Sequence, residues 1–164
     1  MGEVRLLAID GPSGAGKSTL ATAVVSALGP SAELVSTDAF ATWDDPVAWW
    51  PRLEHGVLTP LAHGRPGEYR RMDWTSGTPR PGELVRVAVP EVLVLEGVSS
   101  GRRAVRPMLS QLCWIEGGTE TERLARAVAR DGEAARAHLR RWQRFERGWF
   151  AVDGTRAAAD LRLP

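Results

Sequence analysis

The sequence contains a single lysine and no asparagine at all. Its 21 basic side chains are Lys17 and 20 arginines, set against 20 acidic residues for a net charge of +1. That balance argues against a dedicated nucleic-acid or membrane-surface binder. The one cysteine, Cys113, excludes an internal disulfide and fits a reducing compartment. No run reaches the roughly 18 apolar residues that a membrane-spanning helix needs. The N-terminal MGEVRLLAID is too acidic and too short in apolar run for a signal peptide, and Leu6 stands where N-myristoylation wants Ser or Thr. A cytoplasmic, soluble protein is the expectation. With 164 residues, 43% hydrophobic and 25% charged, the composition is that of one globular domain spanning 1–164. A chain of this size buries about 70% of its unfolded surface, enough for a real core.

Short apolar runs alternate with helical periods. Residues 4–9 read as a buried strand ending at Asp10-Gly11. From Lys17 the pattern is helical, with Leu20, Val24 and Leu28 on one face and Gly29-Pro30 as the stop. Leu34-Val35 gives a second strand. Residues 46–55 predict a helix with Pro46 in its first turn and Gly56 at its end. Residues 59–83 show no clear period and predict an irregular loop with at most a small hairpin. Residues 92–95 and 112–115 are strands apolar throughout, as in a sheet covered on both faces. Thr119 and Glu122 have capping-box spacing at the start of a helix over 120–130. A second helix over 133–150 places Leu139, Trp142, Phe145 and Trp149 on one broad face. This order predicts a three-layer α/β fold with a parallel sheet.

Residues 11–18, Gly-Pro-Ser-Gly-Ala-Gly-Lys-Ser, match the phosphate-loop pattern between a strand and a helix. Glycines at 11, 14 and 16 let backbone N–H groups converge on phosphate oxygens, and the helix beginning at Lys17 adds its dipole. Gly11, Ser13, Gly14, Ala15, Gly16, Lys17, Ser18 and Thr19 are therefore the candidate nucleotide-binding residues. Lys17 would reach the β- and γ-phosphates, and the Ser18 hydroxyl would ligate Mg²⁺. Reading guanine takes an Asn-Lys-x-Asp loop, which a chain without asparagine cannot form. ATP with Mg²⁺ is the expected nucleotide.

The block 9–19 around this loop, Ser36-Thr37-Asp38-Ala39-Phe40, Val94-Leu95-Glu96-Gly97, the arginines 123, 126 and 130 before Asp131, and Ala159-Asp160 together resemble the uridine kinase and phosphoribulokinase group. The resemblance covers nearly the whole chain in the same order. It implies a P-loop NTPase fold with a five-stranded parallel sheet in strand order 2-3-1-4-5 and a short helical lid over about 131–148. It also implies a general base at Asp38, lid arginines at Arg126 and Arg130, and an adenine-side loop near Arg156. Glu96 ends the strand expected beside the first one and should face the metal. An acceptor-binding segment over about 38–82 would offer Asp38, Phe40, Tyr69, Arg70, Asp73 and Trp74.

Aromatic walls with a few charges suit a ring-bearing polar molecule such as a nucleoside. Trp49 and Trp50 read first as core packing, and Arg136, Arg140, Arg144 and Arg147 as a solvated helix face. His55, His63 and His138 have no metal-ligand spacing. The expected activity is transfer of the γ-phosphate of ATP to a hydroxyl of a small molecule, nucleoside-like by preference. A non-nucleoside metabolite or antibiotic is the alternative acceptor, and a nucleotide-binding regulatory ATPase the alternative class. A small-molecule acceptor is the expected partner, without nucleic acid or membrane, and a homodimer stays open.

Overall fold

In the computed structural model, which describes residues 1–164, the strands are β1 (Arg5–Asp10), β2 (Ala32–Ser36), β3 (Gly67–Asp73), β4 (Arg80–Val87), β5 (Val92–Glu96), β6 (Gln111–Ile115) and β7 (Leu161–Leu163). Five of them form one parallel sheet in the order β2-β5-β1-β6-β7, and β3 pairs antiparallel with β4. Counted without the hairpin, that order is 2-3-1-4-5, as the resemblance implied. Register brings the carboxyl ends of three neighbouring strands level. Ile9 pairs with Glu96, and Glu96 pairs with Ser36 on its other side. Ligand sites of open α/β sheets form at this edge.

Alternation along the strands divides the core between the two faces. Ile9, Val94, Cys113 and Ile115 pack against Ala21 of helix α1 (Lys17–Leu28). Leu6, Val35, Leu93 and Leu95 face the other way, onto Phe40, Trp49, Leu53, Leu58 and Tyr69. Each fully buried aliphatic side chain here contributes about 1.5–3 kcal/mol. The remaining helices are α2 (Trp50–Leu53), α3 (Thr59–Ala62), α4 (Glu120–Asp131), α5 (Arg136–Asp153) and α6 (Thr155–Ala158). The capping box of α4 is complete, with Thr119 and Glu122 satisfying each other's backbone N–H. No helix is long and apolar enough to cross a membrane.

Three expectations are corrected. The helix predicted over 46–55 starts instead at Trp50, with Pro51 in its first turn, and runs on through a π-helical stretch, Glu54–Leu58, into α3. The wider π turn lies just before Pro60, which has no N–H to continue an α-helical ladder. Gly56 does not stop the helix. It lets the helix backbone cross β3, since a Cβ there would lie 2.6 Å from the Glu68 carbonyl oxygen.

Residues 59–83 do hold a hairpin, but it is a long one, β3–β4, and with α3 it leaves little of the stretch irregular. A bulge between Arg70 and Met72 breaks the two-residue period, so Tyr69 and Met72 are both buried although three positions apart. Finally, the buried stripe of α5 is Leu139, Gln143, Glu146 and Asp153, while Phe145 is 38% exposed. Of the predicted face, Leu139 is buried and Trp142 and Trp149 are half-buried, so the covered face is wider than the apolar one and takes in polar residues beside it.

Gly56→Ala is expected to cost about 1–3 kcal/mol in chemical denaturation, because backbone must move to admit the methyl group. Gly148→Ala on α5, where an added Cβ meets nothing within 4 Å, is expected to stabilise by about 0.5–1 kcal/mol in the same assay.

Candidate active site

The loop between β1 and α1 is shaped for an anion. The N–H groups of Gly14, Gly16, Lys17, Ser18 and Thr19 make no hydrogen bond within the chain, as expected at a helix start. Gly14 has φ +75°, and a Cβ there would come within 2.3 Å of the Arg123 carbonyl oxygen, so the loop can sit against α4 only as glycine. Lys17 is buried, and its Nζ donates to the Pro12 carbonyl at 3.0 Å.

Asp10, at the end of β1, holds this loop from behind. Its carboxylate is fully buried and accepts the N–H groups of Gly11 (2.7 Å), Ser99 (3.1 Å) and Gly101 (2.8 Å). Burial pushes the carboxyl up to about 7, against the pull of the Gly101 and Gly11 bonds, the Lys17 charge and the Ser99 bond. Sequence reasoning passed over Asp10. Its signal was a lone acid closing an apolar strand.

The Ser18 hydroxyl donates to Glu96 Oε1 at 3.1 Å. Glu96 is 4% exposed, and burial raises its carboxyl, opposed by Lys17 and reinforced by Asp38. Asp38 lies in the single turn Thr37–Ala39 after β2. Its N–H donates to Ser36 Oγ at 3.3 Å, while its exposed carboxylate carries no hydrogen bond within the chain. A turn-capping aspartate would have spent that carboxylate on its own backbone. Here the serine caps the turn and the aspartate stays free.

Arg130 closes the group. It is forked on Asp131 at 2.6 and 2.7 Å, which holds its guanidinium charge firmly, and it also feels the charges of Asp38 and Glu96. Arg126 Nε donates to the Gly14 carbonyl at 2.8 Å and its terminal nitrogen to Gly117. Arg156, by contrast, is paired with Glu116 at 2.6 Å on the surface near β7.

The candidate acceptor residues divide. Phe40 and Tyr69 are core residues, 1% and 7% exposed, stacked on each other at 4.8 Å. Their burial against the sheet removes both from any cleft wall. Trp74 stands at the site, its Nε1 donating to the Asp38 carbonyl at 3.1 Å. Trp43 meets Trp74 edge-on at 5.0 Å and stacks on His138 of α5 at 4.9 Å. Arg70 donates to the Gly82 carbonyl within the hairpin, and Asp73 is exposed and caps the Thr75 N–H. Trp49 and Trp50 are buried as expected, and Arg102 lies over both rings at 4.9 and 4.6 Å.

Asp10→Asn would turn an NH₂ group towards one of three backbone donors. A loss of about 1–3 kcal/mol of stability in chemical denaturation is expected, because a buried donor is left unpaired.

No protein-family model and no curated protein sequence matches the chain. Solved structures do. One, described as a possible uridine kinase from Bacillus stearothermophilus, superposes with a TM-score of 0.71 at 17% identity, covering 100% of this chain and 90% of its own. Another, from Silicibacter sp. TM1040 and assigned by name as a fructose transport system kinase, gives a TM-score of 0.64 at 23% identity, covering 98% and 90%. Likeness at such identities is a likeness of fold, and the fold of this chain is that of the P-loop kinases.

Proposed function

We propose that the chain is a phosphotransferase that moves the terminal phosphate of ATP to a hydroxyl of a small molecule. The observation that carries this reading is the meeting of Lys17, Ser18, Glu96 and Asp38 at the level carboxyl ends of β1, β5 and β2. Five backbone N–H groups and a lysine suit the oxygens of a polyphosphate. The Ser18 hydroxyl and the Glu96 carboxylate are hard oxygen donors that fit Mg²⁺, with the phosphates and water supplying its other ligands. When bound, that ion offsets the charge on the phosphate oxygens.

The chain's own groups account for the rest of the transfer. Asp38, with an uncommitted carboxylate, orients the acceptor hydroxyl and takes its proton. Arg130, fixed by Asp131, stands where negative charge grows during transfer, and Arg126 ties α4 to the loop. Trp74 and Trp43 beside Asp38 suit a ring-bearing acceptor, nucleoside-like by preference. The two structural neighbours are also named as kinases, one for uridine and one of a fructose transport system. Burial of Phe40 and Tyr69 withdraws two aromatic contacts, which keeps a non-nucleoside metabolite or antibiotic as the second reading.

The test is ADP release across nucleosides, sugars, vitamins and aminoglycosides. At least one compound is expected to raise release well above basal. Release that stays basal across the panel would favour a regulatory ATPase instead. Lys17→Ala is expected to lose about 10²–10³-fold in activity together with nucleotide affinity. Asp38→Ala should lose about 10²–10⁴-fold in transfer while Mg·ATP still binds. Unchanged turnover in Asp38→Ala would remove it as the base.

A further inference from the structure

Three of the four buried residues of α5, Gln143, Glu146 and Asp153, are polar where a packed helix is normally apolar. Gln143 donates to the Glu120 carbonyl on α4 at 3.1 Å, and Asp153 is bonded by Arg106 and Thr155. Glu146 is different. It is 2% exposed, no basic side chain lies in ion-pair contact with it, and every hydrogen bond it accepts comes from Ser13 of the phosphate loop. The Ser13 N–H reaches its two oxygens at 3.1 and 3.0 Å, and the Ser13 hydroxyl donates at 2.7 Å. Burial raises this carboxyl, while the Ser13 bonds and the more distant charges of Lys17 and Arg123 oppose the rise. A buried carboxylate bonded only to neutral donors is a poor way to stabilise a fold, and an apolar side chain of similar volume would do better.

Its place along the helix explains it better. Trp142 and His138 precede Glu146 by four and eight residues, about 6 and 12 Å along the axis. They are the lid residues that meet Trp43, at ring separations of 6.0 and 4.9 Å, one ring removed from Trp74 and Asp38. A single helix therefore touches the phosphate loop at one point and the acceptor segment at another. The Ser13 N–H is turned towards α5 and away from the cradle of free N–H groups.

We propose that Glu146 is a positioning residue: through Ser13 it registers the lid helix on the phosphate loop, so that a nucleotide in the loop sets the packing of Trp142 and His138 against Trp43. The proposal rests on reading the loop as a nucleotide site. Its work is done on Ser13 and α5, not on the phosphates.

Amide hydrogen exchange of the full chain, with Mg·ADP as the probe, tests it without knowledge of the acceptor. In the wild type, Mg·ADP is expected to slow exchange in residues 40–46 and 136–143 by about tenfold. Glu146→Ala should bind Mg·ADP with a Kd within about threefold of wild type yet lose that slowing. Glu146→Gln keeps an oxygen for the Ser13 N–H and should retain it. A purely structural role would raise exchange in α5 equally with and without the probe, leaving the nucleotide-dependent difference intact. That result, or no slowing in the wild type, would overturn the role of Glu146. A Glu146→Ala variant that loses Mg·ADP binding would place the residue in the cradle and overturn it too. Failure of the wild type to bind Mg·ADP would instead overturn the nucleotide-site reading, and this inference with it.

Discussion

The buried carboxylate of Asp10 is the junction on which the site is built. It accepts N–H groups from Gly11, at the start of the phosphate loop, and from Ser99 and Gly101, in the segment after β5. The same segment continues into Arg102, which donates to the Ser99 and Val47 carbonyls and lies among the rings of Trp49, Trp50 and Trp149. One carboxylate thus links the phosphate loop, the segment around Val47 to Trp50 and helix α5 through two intermediate contacts. Satisfied polar networks in a low-dielectric interior specify one arrangement sharply, because each broken bond leaves an unpaired buried group.

The two cations of the sequence divide their work by shape. A flexible ammonium on a long stem suits an anion whose position changes, and the chain's one lysine begins α1, directly after the phosphate loop. Planar guanidinium forks suit fixed carbonyl and carboxylate geometry. Arg103 and Arg106 accordingly bind the end of α5, donating to the Asp153 and Val152 carbonyls and to the Asp153 side chain. Arg136 and Arg147 of the α5 stripe pair with Glu133 and Glu120 on the surface, where such pairs contribute little. The arginine excess is therefore partly structural, a role that spacing on a helix face does not reveal.

Where local pattern and three-dimensional packing agreed, the fold was legible. The strands of the sheet, α1, and the α4 capping box all follow from short-range periods and caps. In residues 59–83 a hairpin was legible but not its extent, because the bulge at Arg70–Met72 erases the alternation that marks a strand. Gly56 carried a helix-stop signal although its real duty is a close backbone crossing. The inward face of α5 was hidden for a related reason. It is chosen by what lies opposite, loop donors for Glu146 and an α4 carbonyl for Gln143, in preference to Phe145. Glu146 escaped notice because nothing in sequence marks its carboxylate as buried, and Asp10 was marked only by closing an apolar strand.

By itself the sequence determined the phosphate loop, the strand order of its sheet by resemblance, and the absence of a guanine-reading loop. These depend on residues that are close along the chain or on residue types that are missing, and both can be read without coordinates. Tertiary structure alone decided which aromatics border Asp38 and which are core, and that Glu96 rather than another acid meets Ser18. It also decided that one glutamate of α5, 133 positions from Ser13, accepts the hydrogen bonds of that loop residue. Such pairings arise from how the faces of a twisted sheet are covered, and a one-dimensional pattern carries no record of which distant face will arrive.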